Sequence, residues 1–277
     1  MQDTYGTYQA KTVLVLSLPL AALIIITACV GLFSENFYSA ETPNWIAQST
    51  GQDAIDLLLI TPFLVITAIL ATGKNKIAFL LWGGVNLYLI YTFVIYCFGV
   101  HFNKLFIFYC IILGLSFYSF MYFLFSQFAT AVKIDNYNKP AVKITAIYFL
   151  IIPCIFYFLW LAEIIPAVTS HTRPQSLIET GLTTNPVHVI DLSVLLPGIF
   201  IIAVLLMKKK PLGLLLAPAM LAFLILMDIT IGGLTIAMKI NGIQTSYALT
   251  IIMSVLVLFT VGLLISYLKN INVSDDN

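Results

Sequence analysis

The sequence predicts an all-α, polytopic transmembrane helical bundle of about eight spans. Three observations predict it. Of the 277 residues 61% are apolar and only 9% charged, with a mean hydropathy of +1.02. The apolar residues fall into eight stretches, each near the ~20 residues that an α-helix needs to cross a bilayer core of about 30 Å. The breaks between stretches carry the lysines, unequally on the two sides. Thirteen Lys and Arg against twelve Asp and Glu give a formal charge of +1, which leaves no basic face for nucleic acid and no acidic tail. The expected partner is the lipid bilayer.

The first stretch, 12–33, follows Lys11 and passes through Ile26-Thr27-Ala28-Cys29, which resembles a lipoprotein cleavage signal. It continues apolar through Val30-Gly31-Leu32-Phe33, beyond the ~7–15 residues of a signal core, so a retained helix is expected. The second, 53–73, opens on Asp53 and stops at Lys74-Asn75-Lys76. The third, 77–100, stops at His101-Phe102-Asn103-Lys104, and the aromatic-rich fourth, 105–127, stops before the segment from Lys133 to Lys143. The fifth is 142–167. The sixth, 188–207, opens on His188 and ends at Lys208-Lys209-Lys210-Pro211; the seventh, 211–238, and the eighth, 247–268, complete the set.

An even number of spans puts both termini on one side. With that side cytoplasmic, Lys11, Lys74, Lys76, Lys133, Lys139, Lys143, Lys208, Lys209, Lys210 and Lys269 lie inside and Lys104, Arg173 and Lys239 outside, the expected positive-inside bias of a cytoplasmic-membrane protein. The two longer outer connections, 34–52 and 168–187, are expected to be lids or surface helices.

The chain also matches itself. Asp53-Ala54-Ile55-Asp56-Leu57 and Pro62 align with His188-Val189-Ile190-Asp191-Leu192 and Pro197 at a constant offset of 135, which also sets Lys74 opposite Lys209. The pattern predicts two fused four-helix halves, 1–135 and 136–277, in parallel orientation about an axis along the membrane normal. The alternative is two unrelated helices that enter from the same side. Spans 2 and 6 would be equivalents, each kinked by its proline and each bordering a cavity, because the carbonyl that proline frees needs a partner.

An ionisable group within a span costs at least ~2.5–3.5 kcal/mol on insertion scales and is a candidate functional residue by default. Asp53, Asp56, Glu163, Asp191 and Asp228 qualify. Gln52 with Asp56 is an i, i+4 pair and His188 with Asp191 an i, i+3 pair, so each set can share one helical face. Tyr91 near mid-span and Asn103 at the start of span 4 complete the expected pocket: Gln52, Asp53, Asp56, Tyr91, Asn103, Glu163, His188, Asp191 and Asp228. Helix capping is the plainer reading of Asp53 and His188 at span ends. His188, Asp191 and Glu163 are candidate ligands for a divalent cation, and the same groups suit proton shuttling. Gly83-Gly84 and Gly232-Gly233 permit close helix approach. Cys29, Cys97, Cys110 and Cys154 lie in apolar runs without metal or redox spacing and read as buried small hydrophobes.

The sequence holds no GxSxG, HExxH, phosphate-binding or dinucleotide-binding motif, which disfavours soluble-type catalysis. The Gly51-Gln52-Asp53 opening of span 2 and the run Thr184-Asn185-Pro186-Val187-His188-Val189-Ile190-Asp191-Leu192 resemble signatures of an uncharacterised group of bacterial multi-span membrane proteins, over most of the chain. The resemblance implies a bacterial cytoplasmic membrane and gives weight to Gln52, Asp53, His188 and Asp191; it implies no activity. Three functions are compatible with this pattern. The first is binding or transport of a small polar solute or cation. The second is intramembrane catalysis on a lipid or lipid-linked substrate through His188 and carboxylates. The third is a non-catalytic subunit or sensor.

Overall fold

The structure, a computed structural model, describes residues 2–73, 75–129 and 140–270. Lys74 of the expected repeat, and Lys133 and Lys139 of the break after span 4, lie outside them. The described residues are helices and connections, with no strand among them. Eight helices are long and apolar enough to cross a membrane: Lys11–Phe33, Pro43–Thr72, Lys76–Gly99, Phe106–Ser126, Pro140–Thr169, Pro186–Met207, Pro211–Ile240 and Tyr247–Lys269, numbered here as spans 1 to 8. The expected eight-span bundle is the observed one.

The largest departure from the expected boundaries is span 2, which starts at Pro43, ten residues before Asp53. Thr42 caps it, its hydroxyl accepting from the Trp45 N–H, and Pro43 takes the first helical turn, where its missing donor costs nothing. Residues 43–52 are too polar to read as membrane, yet their polar members share a face. Asn44, Gln48, Gln52 and Asp56 recur every four residues, with Gln48 Nε2 donating to Asn44 Oδ1 at 2.6 Å and Gln52 Nε2 to Asp56 Oδ1 at 2.9 Å. The first long connection therefore shrinks to 34–42. The second contains the surface helix Gln175–Thr180, tied back where the Thr42 hydroxyl donates to Glu179 O at 2.9 Å. Because Asp53 lies within the helix and Asn185 caps span 6 through the Val187 N–H, neither Asp53 nor His188 is an N-cap.

Spans 2 and 6 share a rare backbone feature at the same offset. Each widens to a π-helical turn, Asp56–Ile60 in one and Asp191–Leu195 in the other, before resuming as α-helix at Thr61 and Leu196. A proline follows directly at 62 and 197. Its ring would collide with the carbonyl four residues back in a regular helix, and the wider turn moves that carbonyl away. The Thr61 and Leu196 N–H groups instead donate five residues back, to Asp56 O and Asp191 O.

The packing of the halves corresponds as well. Spans 1 and 2, 2 and 3, 3 and 4, and 1 and 4 pack together, as do 5 and 6, 6 and 7, 7 and 8, and 5 and 8. Spans 3 and 7, which start 135 residues apart, pack on each other at the centre; each is 67% buried along its most apolar stretch, against 39% or less for the others. Glycines allow this approach: a Cβ on Gly84 would meet the backbone carbonyl of Ala219, and one on Gly233 would meet Ile55 of span 2. The four cysteines are free, and Cys110 and Cys154 are exposed rather than buried, on faces where lipid is the expected neighbour.

Candidate functional site

Between spans 2, 3, 5, 6, 7 and 8 lies a cavity of about 680 Å³. Its polar end, on the side of the bundle that carries the two longer connections, is lined by Asn44, Gln48, Glu179 and Asn185. From that end it reaches Tyr148 and Phe223, past the midpoints of spans 5 and 7. The walls are mainly apolar and aromatic. No Lys or Arg lines it.

Six of the nine expected site residues are in the wall: Gln52, Tyr91, Glu163, His188, Asp191 and Asp228. Asp191 stands at the start of the π-helical turn of span 6, and its Oδ2 accepts from the Trp160 indole N–H at 2.8 Å. Trp160 also packs on the His188 ring, centroids 4.5 Å apart. Glu163, one turn beyond Trp160 on span 5, accepts from the Ser176 N–H at 3.0 Å and so anchors the surface helix to the rim. The Asp191 Oδ1 and Asp228 Oδ2 atoms are buried and without a hydrogen-bond partner, although the two residues are only 4% and 5% exposed. Buried polar atoms are nearly always satisfied, so two orphaned carboxylate oxygens on one cavity wall need an explanation.

Three expected residues are elsewhere. Asp53 is enclosed in a separate nest, where the Tyr38 and Tyr96 hydroxyls each donate to it at 2.7 Å and Gly31 of span 1 lies against its carboxyl. Burial, and next the Asp53 charge, hold the Tyr38 phenol well above its ordinary pKa, so it stays a donor at any physiological pH. Asp56 is equally buried and bound by Gln52, whose Nε2 also donates to the Tyr88 hydroxyl, itself paired with Thr230 at 2.7 Å. Asn103 stabilises its own turn, accepting from the Leu105 N–H and donating to His101 O. The expectation of one chamber gathering every acid is thereby corrected: the acids of the first half are sealed by their own neighbours, and those of the second half face the cavity. Of the two π-helical turns, only that of span 6 has its own residues in the wall.

The expected metal ligands are not drawn together. His188 Nε2 is 3.9 Å from Glu163 Oε2, Asp191 is turned to Trp160, and among the described residues no three His, Cys, Asp or Glu side chains are gathered to hold a metal ion. His101 keeps its exposed position but bonds through Nδ1 to Glu41 at 2.8 Å.

Sequence reasoning missed Trp160, Tyr148 and the polar face of Asn44 and Gln48. The signals were present: Trp160 is three residues from Glu163, and Asn44 and Gln48 continue the four-residue spacing of Gln52 and Asp56. Trp160→Phe, which keeps the ring and deletes the indole N–H, should cost about 1–3 kcal/mol by removing the donor to the buried Asp191 Oδ2, read as a fall in melting temperature.

These features define a polytopic helical membrane protein with a cavity lined by acidic and aromatic side chains. No family model matches the chain, and neither a curated protein nor a solved structure matches it.

Proposed function

We propose that the cavity is the binding site of a small polar or cationic solute that arrives from the outer face of a bacterial cytoplasmic membrane, as the first step of its transport. The observation that carries this reading is that Asp191 and Asp228, each with one buried and unpartnered carboxylate oxygen, both line a cavity reaching the middle of the bundle. A transporter places its site near the midplane, between repeats. The sidedness rests on the lysines: Lys11, Lys76, Lys143, Lys208, Lys209, Lys210 and Lys269 sit opposite the cavity's polar end, on the side that the positive-inside rule makes cytoplasmic. Both termini are then cytoplasmic too.

A duplication of residues 1–135 into 136–277 belongs to the same proposal. It is supported by the paired π-helical turns at the 135-residue offset and by the matched packing of the halves. One copy then seals its acids as structure while the other keeps them for a ligand. Recognition suits the geometry better than catalysis, since the Asp191 Oδ2 is held by an indole and His188 Nε2 lies beyond hydrogen-bond distance of Glu163.

Accessibility tests the reading. None of the four native cysteines lines the cavity, so Asp228→Cys can be studied with all four replaced by alanine. A membrane-impermeant thiol reagent should label it in right-side-out vesicles and not in sealed inverted ones. Asp53→Cys should resist labelling in both. An unlabelled Asp228→Cys in well-folded protein would refute the open cavity.

A further inference from the structure

We infer that the ligand is an organic cation, an amine or quaternary ammonium group carried on an apolar body. This rests on the proposal that the cavity is a solute site, and it names the chemistry of that solute.

Charge excludes the opposite sign. An anion in the cavity meets Glu163, Glu179, Asp191 and Asp228 with no Lys or Arg to offset them. A zwitterion fares little better, because its carboxylate finds amides, hydroxyls and His188 in the wall but no Lys or Arg to balance the four carboxylates. A cation is attracted by the same wall, in which Asp191 and Asp228 each keep one buried oxygen without a hydrogen-bond partner.

Size and lining exclude a bare metal ion. Na⁺ and Mg²⁺ need several oxygens closing around them at short range, ~2.0–2.6 Å for the divalent ions. Here the acids are dispersed over spans 5, 6 and 7, with no group of three gathered among the described residues. A volume of about 680 Å³ is that of a site for a whole organic molecule. Tyr91, Tyr148, Phe156, Trp160 and Phe223 supply aromatic surface, whose negative faces attract weakly hydrated ammonium groups while their bulk takes the apolar remainder. An uncharged apolar molecule would leave both aspartates as buried groups without partners. Positive charge and hydrocarbon in one ligand satisfy both features of the wall.

The test uses the full-length protein in nanodiscs and three permanent cations: tetramethylammonium, benzyltrimethylammonium and tetraphenylphosphonium. At least one is expected to bind saturably. Its uncharged carbon isostere (neopentylbenzene for benzyltrimethylammonium) should compete at least tenfold more weakly, as should benzenesulfonate, and Na⁺ or Mg²⁺ alone at the same concentration should not compete. D191N and D228N, near-isosteric and eluting as folded protein, should each weaken binding tenfold or more. Equal competition by the isostere or by benzenesulfonate overturns the inference, because charge is then not read; this comparison needs no variant. So does unaltered binding in both aspartate variants. If none of the three cations binds while Asp228→Cys is still labelled from outside, the ligand class is wrong and the cavity proposal stands. If that cysteine is unlabelled, the cavity proposal itself fails.

Discussion

Gly84→Leu is expected to yield no folded protein, and Gly84→Ala a protein destabilised by about 1–3 kcal/mol, the range for overpacking a well-filled core. A Cβ at this position would lie 2.5 Å from Ala219 O and 2.8 Å from Ala222 Cβ, both on span 7. The first is backbone, which no rotamer change can move aside, so the two central helices must separate. Spans 3 and 7 are the only pair in which both helices are mostly buried, and a displacement there spreads to every other contact in the bundle. Gly198→Ala and Gly114→Ala are the controls. Neither glycine has anything within 4 Å of an added Cβ, and removing glycine from a helix interior gains roughly 0.5–1 kcal/mol. Thermal melting of detergent-purified protein, followed by size-exclusion chromatography, should separate the two classes. If Gly84→Ala melts with the controls, spans 3 and 7 do not meet as described.

Much of the fold is legible in the sequence because hydrocarbon imposes a length rule on each span. Seven of the eight spans begin within three residues of where their hydropathy puts them. Span 2 fails by ten because the rule sees only hydropathy, and its first turns are polar. A different signal marks them: Thr42-Pro43 as a helix start, then Asn44, Gln48, Gln52 and Asp56 at four-residue spacing. The match between Asp53-Ala54-Ile55-Asp56-Leu57 and His188-Val189-Ile190-Asp191-Leu192 points to the pair of helices that carry π-helical turns. The turns themselves are not legible, since a proline in a helix permits a kink, a break or a wider turn.

The site is less legible, for a reason that Asp56 and Asp191 make plain. They stand 135 residues apart, and each starts a π-helical turn and precedes a proline by six residues. One is bonded to Gln52 and closed off; the other faces a cavity with a free oxygen. What separates them starts on their own helices, where Gln52 stands four residues before Asp56 and Val187 four before Asp191, and continues with the neighbours brought in by packing. Span 5 delivers Trp160 to Asp191, whereas span 1 brings Gly31 against Asp53 and leaves room for Tyr38 to bond it. Sequence identifies the expensive residues, and tertiary contacts decide which of them are satisfied.

Asp53→Leu and Asp228→Leu should therefore change stability in opposite directions. Asp53 accepts two phenolic hydroxyls, and its removal strands the buried Tyr38 and Tyr96 donors at about 1–3 kcal/mol each. The branched replacement also presses on Gly31, where no side chain exists to give way. A loss of about 3–5 kcal/mol is expected, the size seen when a buried polar assembly is broken from one side. Asp228 is the reverse case. Its Oδ2 is buried without a partner, and span 7 has apolar side chains on either side at Met227 and Ile231. Leucine there should raise stability by about 0.5–2 kcal/mol, the usual gain when a strained functional residue is replaced by one that suits its surroundings. The same substitution should abolish binding of the cationic probes, whereas Asp53→Asn, which keeps an acceptor for one tyrosine, should retain it in whatever fraction folds. Equal destabilisation by both leucines would mean that Asp228 is a structural group like Asp53 and that its free oxygen has no ligand to meet. A stabilised Asp228→Leu that no longer binds would show a carboxylate kept at the expense of stability for something that enters from outside.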